Sequence, residues 1–242
     1  MIHPAITVYS VITLVAMIGS LLVWRRIWKN DARMVAVYFG ALFGSLIGAK
    51  VVYLAAEGWM QWGGPLVWQQ WLTGKSIVGA LAGGYVGVEL AKSLVGYRKA
   101  TGDNFALVVP LAIAFGRIGC LLQGCCLGRV CEPAWWTLAD ARGFSRWPAV
   151  PVEILFNLIF AAVVLLMRGR GWARGQQFHI YLMAYGAFRI LHEPLRATPT
   201  VVERVTGYQI AAGLLFLIGL VGYVVRARGN EATQGGLETS FP

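Results

Sequence analysis

The sequence predicts an all-α integral membrane protein of about seven transmembrane helices, and three observations carry that prediction. Hydrophobic residues make up 57% of the 242 positions and charged residues only 13%, too apolar a balance for a water-facing surface. Long charge-poor stretches recur between short polar clusters, each approaching the roughly 20 residues that a helix needs to cross the hydrocarbon core. The formal net charge of +10 gathers at the ends of these stretches, where basic residues orient helices and meet anionic headgroups. That placement speaks for a membrane and against nucleic acid as partner.

The first segment covers residues 6 to 24 and is followed, not preceded, by basic residues: Arg25, Arg26 and Lys29. This polarity predicts an uncleaved helix with its N-terminus outside. The second and third, residues 34 to 56 and 76 to 95, carry Gly40, Gly44 and Gly48, then Gly79, Gly83, Gly84 and Gly87. Small residues four apart let membrane helices approach closely, so these predict helix packing. The fourth, residues 105 to 123, is interrupted by Arg117; the fifth spans 151 to 167; the sixth, 178 to 195, is interrupted by Arg189; the seventh runs from 208 to 225. Residues 1 to 228 are expected to form a single membrane domain, and the polar residues 229 to 242 a disordered tail.

Alternating the connections places Arg25, Arg26, Lys29, Arg33, Lys92, Arg98, Lys99, Arg168, Arg170, Arg174, Arg226 and Arg228 on one side. The positive-inside rule makes that side cytoplasmic, with the N-terminus periplasmic and the C-terminus cytoplasmic. The two richest outer connections hold Trp59, Trp62, Trp68, Trp71, Trp135, Trp136 and Trp147, seven of the ten tryptophans. Tryptophan favours the headgroup level, so these loops are expected to lie as interfacial segments on the outer leaflet.

A charge at the depth of Arg117 or Arg189 costs at least about 2.5 kcal/mol on insertion scales, so it faces a cavity, a partner or a ligand. Glu193 stands four residues after Arg189 and could neutralise it, while Arg196 adds a cation and Arg117 has no carboxylate within a helical turn. For Glu57, Glu89 and Glu153 a structural role, pairing Lys50, Lys92 or an arginine, is the expectation. The surplus of arginine over carboxylate predicts an anion, and guanidinium groups match phosphate in bidentate fashion. The run Gly116-Arg117-Ile118-Gly119-Cys120-Leu121-Leu122-Gln123-Gly124-Cys125-Cys126-Leu127-Gly128-Arg129 adds glycines that let the backbone bend and expose amides to that anion.

At this run the chain resembles the prolipoprotein diacylglyceryl transferase family, whose signature has the form G-R-I-G-N-F-x-N-G-E-x-x-G-R. The match fixes Gly116, Arg117, Ile118, Gly119, Gly124, Gly128 and Arg129. A second match, Tyr185-Gly186-Ala187-Phe188-Arg189-Ile190-Leu191-His192-Glu193-Pro194-Leu195-Arg196, is similar to the family's Y-G-x-F-R-x-x-x-E-x-x-R, and Gly207-Tyr208-Gln209-Ile210 opens the last helix in the family's manner. Weaker likenesses run from His3 to Tyr9, at Gly74-Lys75-Ser76, and at Asp103 and Pro110.

The resemblance implies transfer of a diacylglyceryl group from phosphatidylglycerol to the cysteine thiol of a lipoprotein precursor peptide, with glycerol-1-phosphate released at the outer face of the bacterial inner membrane. It implies catalytic roles for Arg117, Arg189 and Tyr9, with Glu193 orienting Arg189, and a phosphate site from Arg117, Arg189, Arg196, Arg129, Gly119, Gly124 and Gly128. No cofactor is implied. The family's histidine ahead of the third helix is Val78 here, its signature asparagines are Cys120 and Gln123, and its acid is Cys125. The general base is therefore unassigned by motif, and His192 is the candidate. Two other readings stay open: a divergent paralogue using another acceptor, and a non-enzymatic phospholipid-binding or transport protein.

Cys120, Cys125, Cys126 and Cys131 fall within twelve residues. In an oxidising compartment a disulfide is the first expectation, a free thiol acting as packing residue or covalent relay the second. Irregular spacing and the lack of a nearby histidine argue against zinc, so no metal is expected.

Overall fold

The computed structural model describes residues 15, 18–22, 24, 25, 29, 31–61, 63, 64, 67–201 and 205–238, without the side chains of 61, 69, 70, 72 and 229–238. Tyr9, the likeness from His3 to Tyr9, Trp62 and most of the first expected segment lie outside the described residues. The order of elements is α1 (Arg33–Ala56), a 3-10 turn (Gly58–Gln61), α2 (Val67–Thr73), α3 (Ile77–Leu94), α4 (Gly102–Leu122), β1 (Leu138–Ala139), β2 (Ser145–Arg146), α5 (Ala149–Gly169), α6 (Gln177–His192), a second 3-10 turn (Glu193–Leu195) and α7 (Gly207–Glu238).

Among the described residues, five helices are long and apolar enough to cross a membrane: α1, α3, α4, α5 and the Gly207–Arg228 part of α7. They coincide with the second, third, fourth, fifth and seventh expected segments. The sixth is shorter than expected. Pro194 brings no amide hydrogen and opposes helix continuation, so α6 stops at His192 after 16 residues and the chain passes through the 3-10 turn. Beyond Arg228, where composition suggests a disordered tail, the backbone of α7 continues as helix to Glu238.

The glycines of the second and third segments do what their spacing predicts. A Cβ on Gly40 would lie 2.5 Å from the carbonyl oxygen of Gly87, one on Gly44 2.3 Å from that of Gly83, and one on Gly48 2.3 Å from that of Gly79. Backbone rests directly on backbone along the α1–α3 seam, a close approach only glycine allows. Ser76 starts α3 by accepting the Gly79 amide on its hydroxyl at 3.3 Å.

The buried core gathers around Trp24, Tyr38 and Phe105 at one end and Tyr181, Tyr185 and Leu215 between α6 and α7. Asp103, in the first turn of α4, accepts the backbone amides of Gly175 at 2.6 Å and Gln177 at 3.2 Å. That carboxylate satisfies orphan donors at the start of α6. Outward faces carry Phe43, Ile47, Val51, Ile159, Leu166 and Val221, all exposed, as a hydrocarbon solvent requires.

Between α4 and α5 lies a small antiparallel ribbon pairing Leu138 with Arg146 and Ala139 with Ser145. Burial works against ionisation of Asp140, yet the amides of Phe144 and Arg142 and the Arg146 guanidinium outweigh it and hold its carboxyl below the usual carboxylate range. Isolated bridges join Val130 to Arg146 and Gly128 to Arg196. The second brings the end of the α4 motif to the end of the α6 motif.

Candidate active site

Three helices bring their charged residues to the same end of the bundle. Arg117 stands near the C-terminal end of α4, Glu153 near the start of α5, and Arg189 one turn before the end of α6, with Glu193 and Arg196 just beyond. Glu153 is the hub. Its carboxylate, fully buried, is 2.8 Å from Arg117 Nη2, 3.4 Å from Arg196 Nη1 and 3.6 Å from Arg189 Nη1. The Tyr185 hydroxyl donates to its Oε1 at 2.6 Å. Asn157, one turn on, donates to the Glu153 carbonyl at 2.8 Å and accepts from Tyr181 at 2.7 Å, which fixes this part of α5 against α6.

Glu193, also fully buried, pairs with Arg189 Nη2, lies 4.0 Å from Arg196 Nε and accepts from the Thr198 hydroxyl at 2.9 Å. The expected contact between Glu193 and Arg189 is thus present. Arg117, which has no carboxylate within a helical turn, finds one on the neighbouring helix, and Arg196, expected as an added unpaired cation, shares Glu153. Sequence reasoning left Glu153 among the structural acids. The signal that could have found it is its place near the start of a long apolar helix, where a carboxylate needs a buried cation.

Three guanidinium groups meet two carboxylates, leaving one net positive charge in a buried cage. The arginines also keep donors in hand. Arg117 Nε, Arg189 Nε and Nη1, and Arg196 Nε are buried without hydrogen-bond partners among the described residues. Burial, and next the charges of Arg189 and Arg117, pull the Arg196 guanidinium below its ordinary value. Buried donors and surplus positive charge together suit a phosphate.

The other expected phosphate residues divide. Gly119 is buried on α4. Gly128 is packed so tightly that a Cβ would lie 2.2 Å from the Trp147 carbonyl oxygen. Gly124 is exposed and takes a positive φ of 65°, a conformation that glycine adopts freely. Arg129 is held through its backbone, its amide donating to the Leu195 carbonyl at 2.9 Å, while its side chain is exposed. The structure therefore leaves Arg129 outside the cage.

His192 is buried beside it. The Trp147 indole, which can only donate, gives its hydrogen to His192 Nε2 at 3.0 Å. In the neutral ring the proton then sits on Nδ1, which has no partner among the described residues. Neither nitrogen is left with a free lone pair for a substrate thiol. Val78, at the family's histidine position, is buried apolar core. All four cysteines stand as free thiols in this structure.

The family model described as prolipoprotein diacylglyceryl transferase matches residues 1–225. The chain belongs to that family. A phosphatidylglycerol–prolipoprotein diacylglyceryl transferase of Clostridium tetani is 27% identical over 186 residues, 70% of this chain and 71% of the relative. The protein of that name from Thermotoga maritima is 24% identical over 247 residues, 92% of this chain and 82% of its own. One from Desulfotalea psychrophila reaches 31% over 133 residues, about half of each chain. With five long apolar helices and this family, the chain is a multi-pass membrane protein.

Proposed function

We propose that the chain transfers the diacylglyceryl group of phosphatidylglycerol to the thiol of a prolipoprotein cysteine, releasing glycerol-1-phosphate at the outer face of the inner membrane. The observation that carries this reading is the buried cage of Arg117, Arg189 and Arg196, which keeps a net positive charge and unpaired N–H donors after Glu153 and Glu193 are counted. The acceptor sulfur, as thiolate, attacks the glyceryl carbon that carries the phosphate ester. A C–S bond forms, the C–O bond breaks, and the electron pair leaves on the phosphate oxygen. Phosphate charge thus grows from one to two, and preorganised guanidinium donors stabilise that growth more than they stabilise the bound diester. Glu153 and Glu193 hold the arginines in place, and Tyr9 keeps the role that the family resemblance gives it.

Purified protein supplied with labelled phosphatidylglycerol and a lipobox peptide tests the reading. Release of glycerol phosphate with lipid attached to the peptide is expected, and Arg117→Ala or Arg189→Ala should each cut the rate by about 10²–10³-fold. No release with any acceptor overturns it. Val78 at the family's histidine position favours a second reading, a phospholipid-binding protein without turnover. Lipid held by the wild type, lost in both arginine variants and never cleaved, would establish that one instead.

A further inference from the structure

Past the end of α4 the chain doubles back. Gly124 has φ +65° and Cys126 φ +60°; the second is unusual, because a residue with a Cβ rarely enters the left-handed region. The Cys125 amide donates to the Cys120 carbonyl at 3.1 Å, and the Cys125 sulfur lies 3.5 Å from the same oxygen. As a result the sulfurs of Cys120, Cys125 and Cys126 all lie within 4.8 Å of one another. Cys131 does not join them; its amide is bound to the Ser145 carbonyl at 3.0 Å in the ribbon. The irregular spacing that argued against a metal is thus undone by the turn.

We infer that Cys120, Cys125 and Cys126 form a three-thiolate site for a thiophilic metal ion of the zinc type, with its fourth position open. Zinc binds sulfur at about 2.3 Å, so three ligands of a tetrahedron have sulfurs about 3.8 Å apart. Closing the trio needs a contraction of no more than about 1 Å, within reach of small χ1 adjustments. A disulfide would use two of the three sulfurs and strand the third. A divalent ion with three thiolates carries one net negative charge, and Arg117 Nη1 lies 4.0 Å from the Cys120 sulfur. Three protein ligands and one free position are the pattern of metal sites that act on a bound molecule, whereas structural sites are closed.

On the transferase reading, on which this step rests, the fourth ligand is the acceptor cysteine. Its thiol binds the metal as thiolate and gives its proton to water. The sulfur then attacks the lipid carbon as described, with the metal's oxidation state unchanged. A metal would so supply what Val78 and His192 do not.

Cobalt titration of the reduced full-length protein in detergent tests the site. Tetrahedral thiolate coordination to Co²⁺ gives near-ultraviolet charge-transfer bands and visible ligand-field bands. One ion per chain is expected, displaced by Zn²⁺, with Cys120→Ser, Cys125→Ser and Cys126→Ser each weakening binding by at least about tenfold and Cys131→Ser leaving it unchanged. Absent thiolate bands, bands surviving in all three variants, or equal loss in Cys131→Ser overturns the site. A lipobox peptide should intensify the charge-transfer band and its Cys→Ser counterpart should not; an unchanged band overturns the open position. Glycerol phosphate release is scored separately. Undiminished release by metal-stripped protein overturns the metal's role and leaves the transferase reading intact, whereas a normal cobalt spectrum without release overturns the transferase reading and leaves the metal site standing.

Discussion

Glu153 holds three arginines at once, so its removal has two opposite consequences. Glu153→Gln keeps the shape and an oxygen to accept from Tyr185 but strands Arg117 and Arg196 without their main counter-charge. Breaking a buried pair from one side costs roughly 3–5 kcal/mol, and the empty protein should melt earlier by that measure. The same change raises the net positive charge of the cage from one to two, which favours a phosphate diester. Phosphatidylglycerol should therefore raise the melting temperature of Glu153→Gln by more than it raises that of the wild type. Thermal unfolding in detergent with and without the lipid decides this; an equal or smaller rise in the variant would show that the lipid phosphate does not enter the cage. His192 makes the complementary case. With Nε2 occupied by Trp147, His192→Gln should keep turnover within about tenfold of wild type, short of the 10²–10⁴-fold that loss of a general base costs. Initial rates at saturating lipid check it, and a loss in that larger range would restore His192 as the base. Arg117, Arg189 and Glu193 were legible in the sequence because a charge in an apolar run demands an explanation. That Glu153 pairs an arginine was legible as well; that it gathers three was not, because they lie on other elements and i, i+4 spacing finds only pairs on one helix.

The helices were legible in order because their apolar lengths match the bilayer, and the α1–α3 seam because four-residue glycine spacing has few other uses. The end of α6 was harder: Pro194 stands inside the apolar stretch, and only the chain's passage into a 3-10 turn shows that the helix yields to it. The turn at Cys126 was hidden for another reason, since no sequence rule marks a cysteine for a positive φ. The seam offers a direct test. In Gly44→Leu the new side chain meets the Gly83 backbone, which cannot step aside as a flexible side chain would. Overpacking of this kind costs typically 1–3 kcal/mol and more where backbone is the obstacle, so this variant should unfold earlier and lose activity in proportion to its folded fraction. Gly213→Ala is the control, because nothing stands within 4 Å of its added carbon; it should hold or gain up to about 1 kcal/mol from helix propensity. Equal melting of the two variants would mean that α1 and α3 are not in backbone contact.

At the scale of the molecule, the cage, the cysteine trio and the ribbon all occupy the end where α4 and α6 finish and α5 begins. The opposite end carries Arg98, Lys99, Arg170 and Arg174 between helices and Arg168 in the last turn of α5, with Arg226 and Arg228 toward the end of the membrane-length part of α7. At the site end Arg146 pairs with Asp140 at 2.8 Å and Arg196 lies in the cage, while Arg129 and Arg142 are exposed. The opposite end holds the larger number of cations, and under the proposed function the positive-inside rule would turn the site end outward. That orientation follows from charge alone, so it can fail independently of the chemistry. A fluorescent protein that matures only in the cytoplasm, fused after Pro242, should glow. A protease recognition sequence inserted at the exposed tip of the ribbon, between Ala141 and Gly143, should be cut when protease is added outside intact spheroplasts and spared when it is expressed inside them. The reverse pattern would put the arginine cage on the cytoplasmic side, where a precursor peptide emerging across the membrane could not reach it.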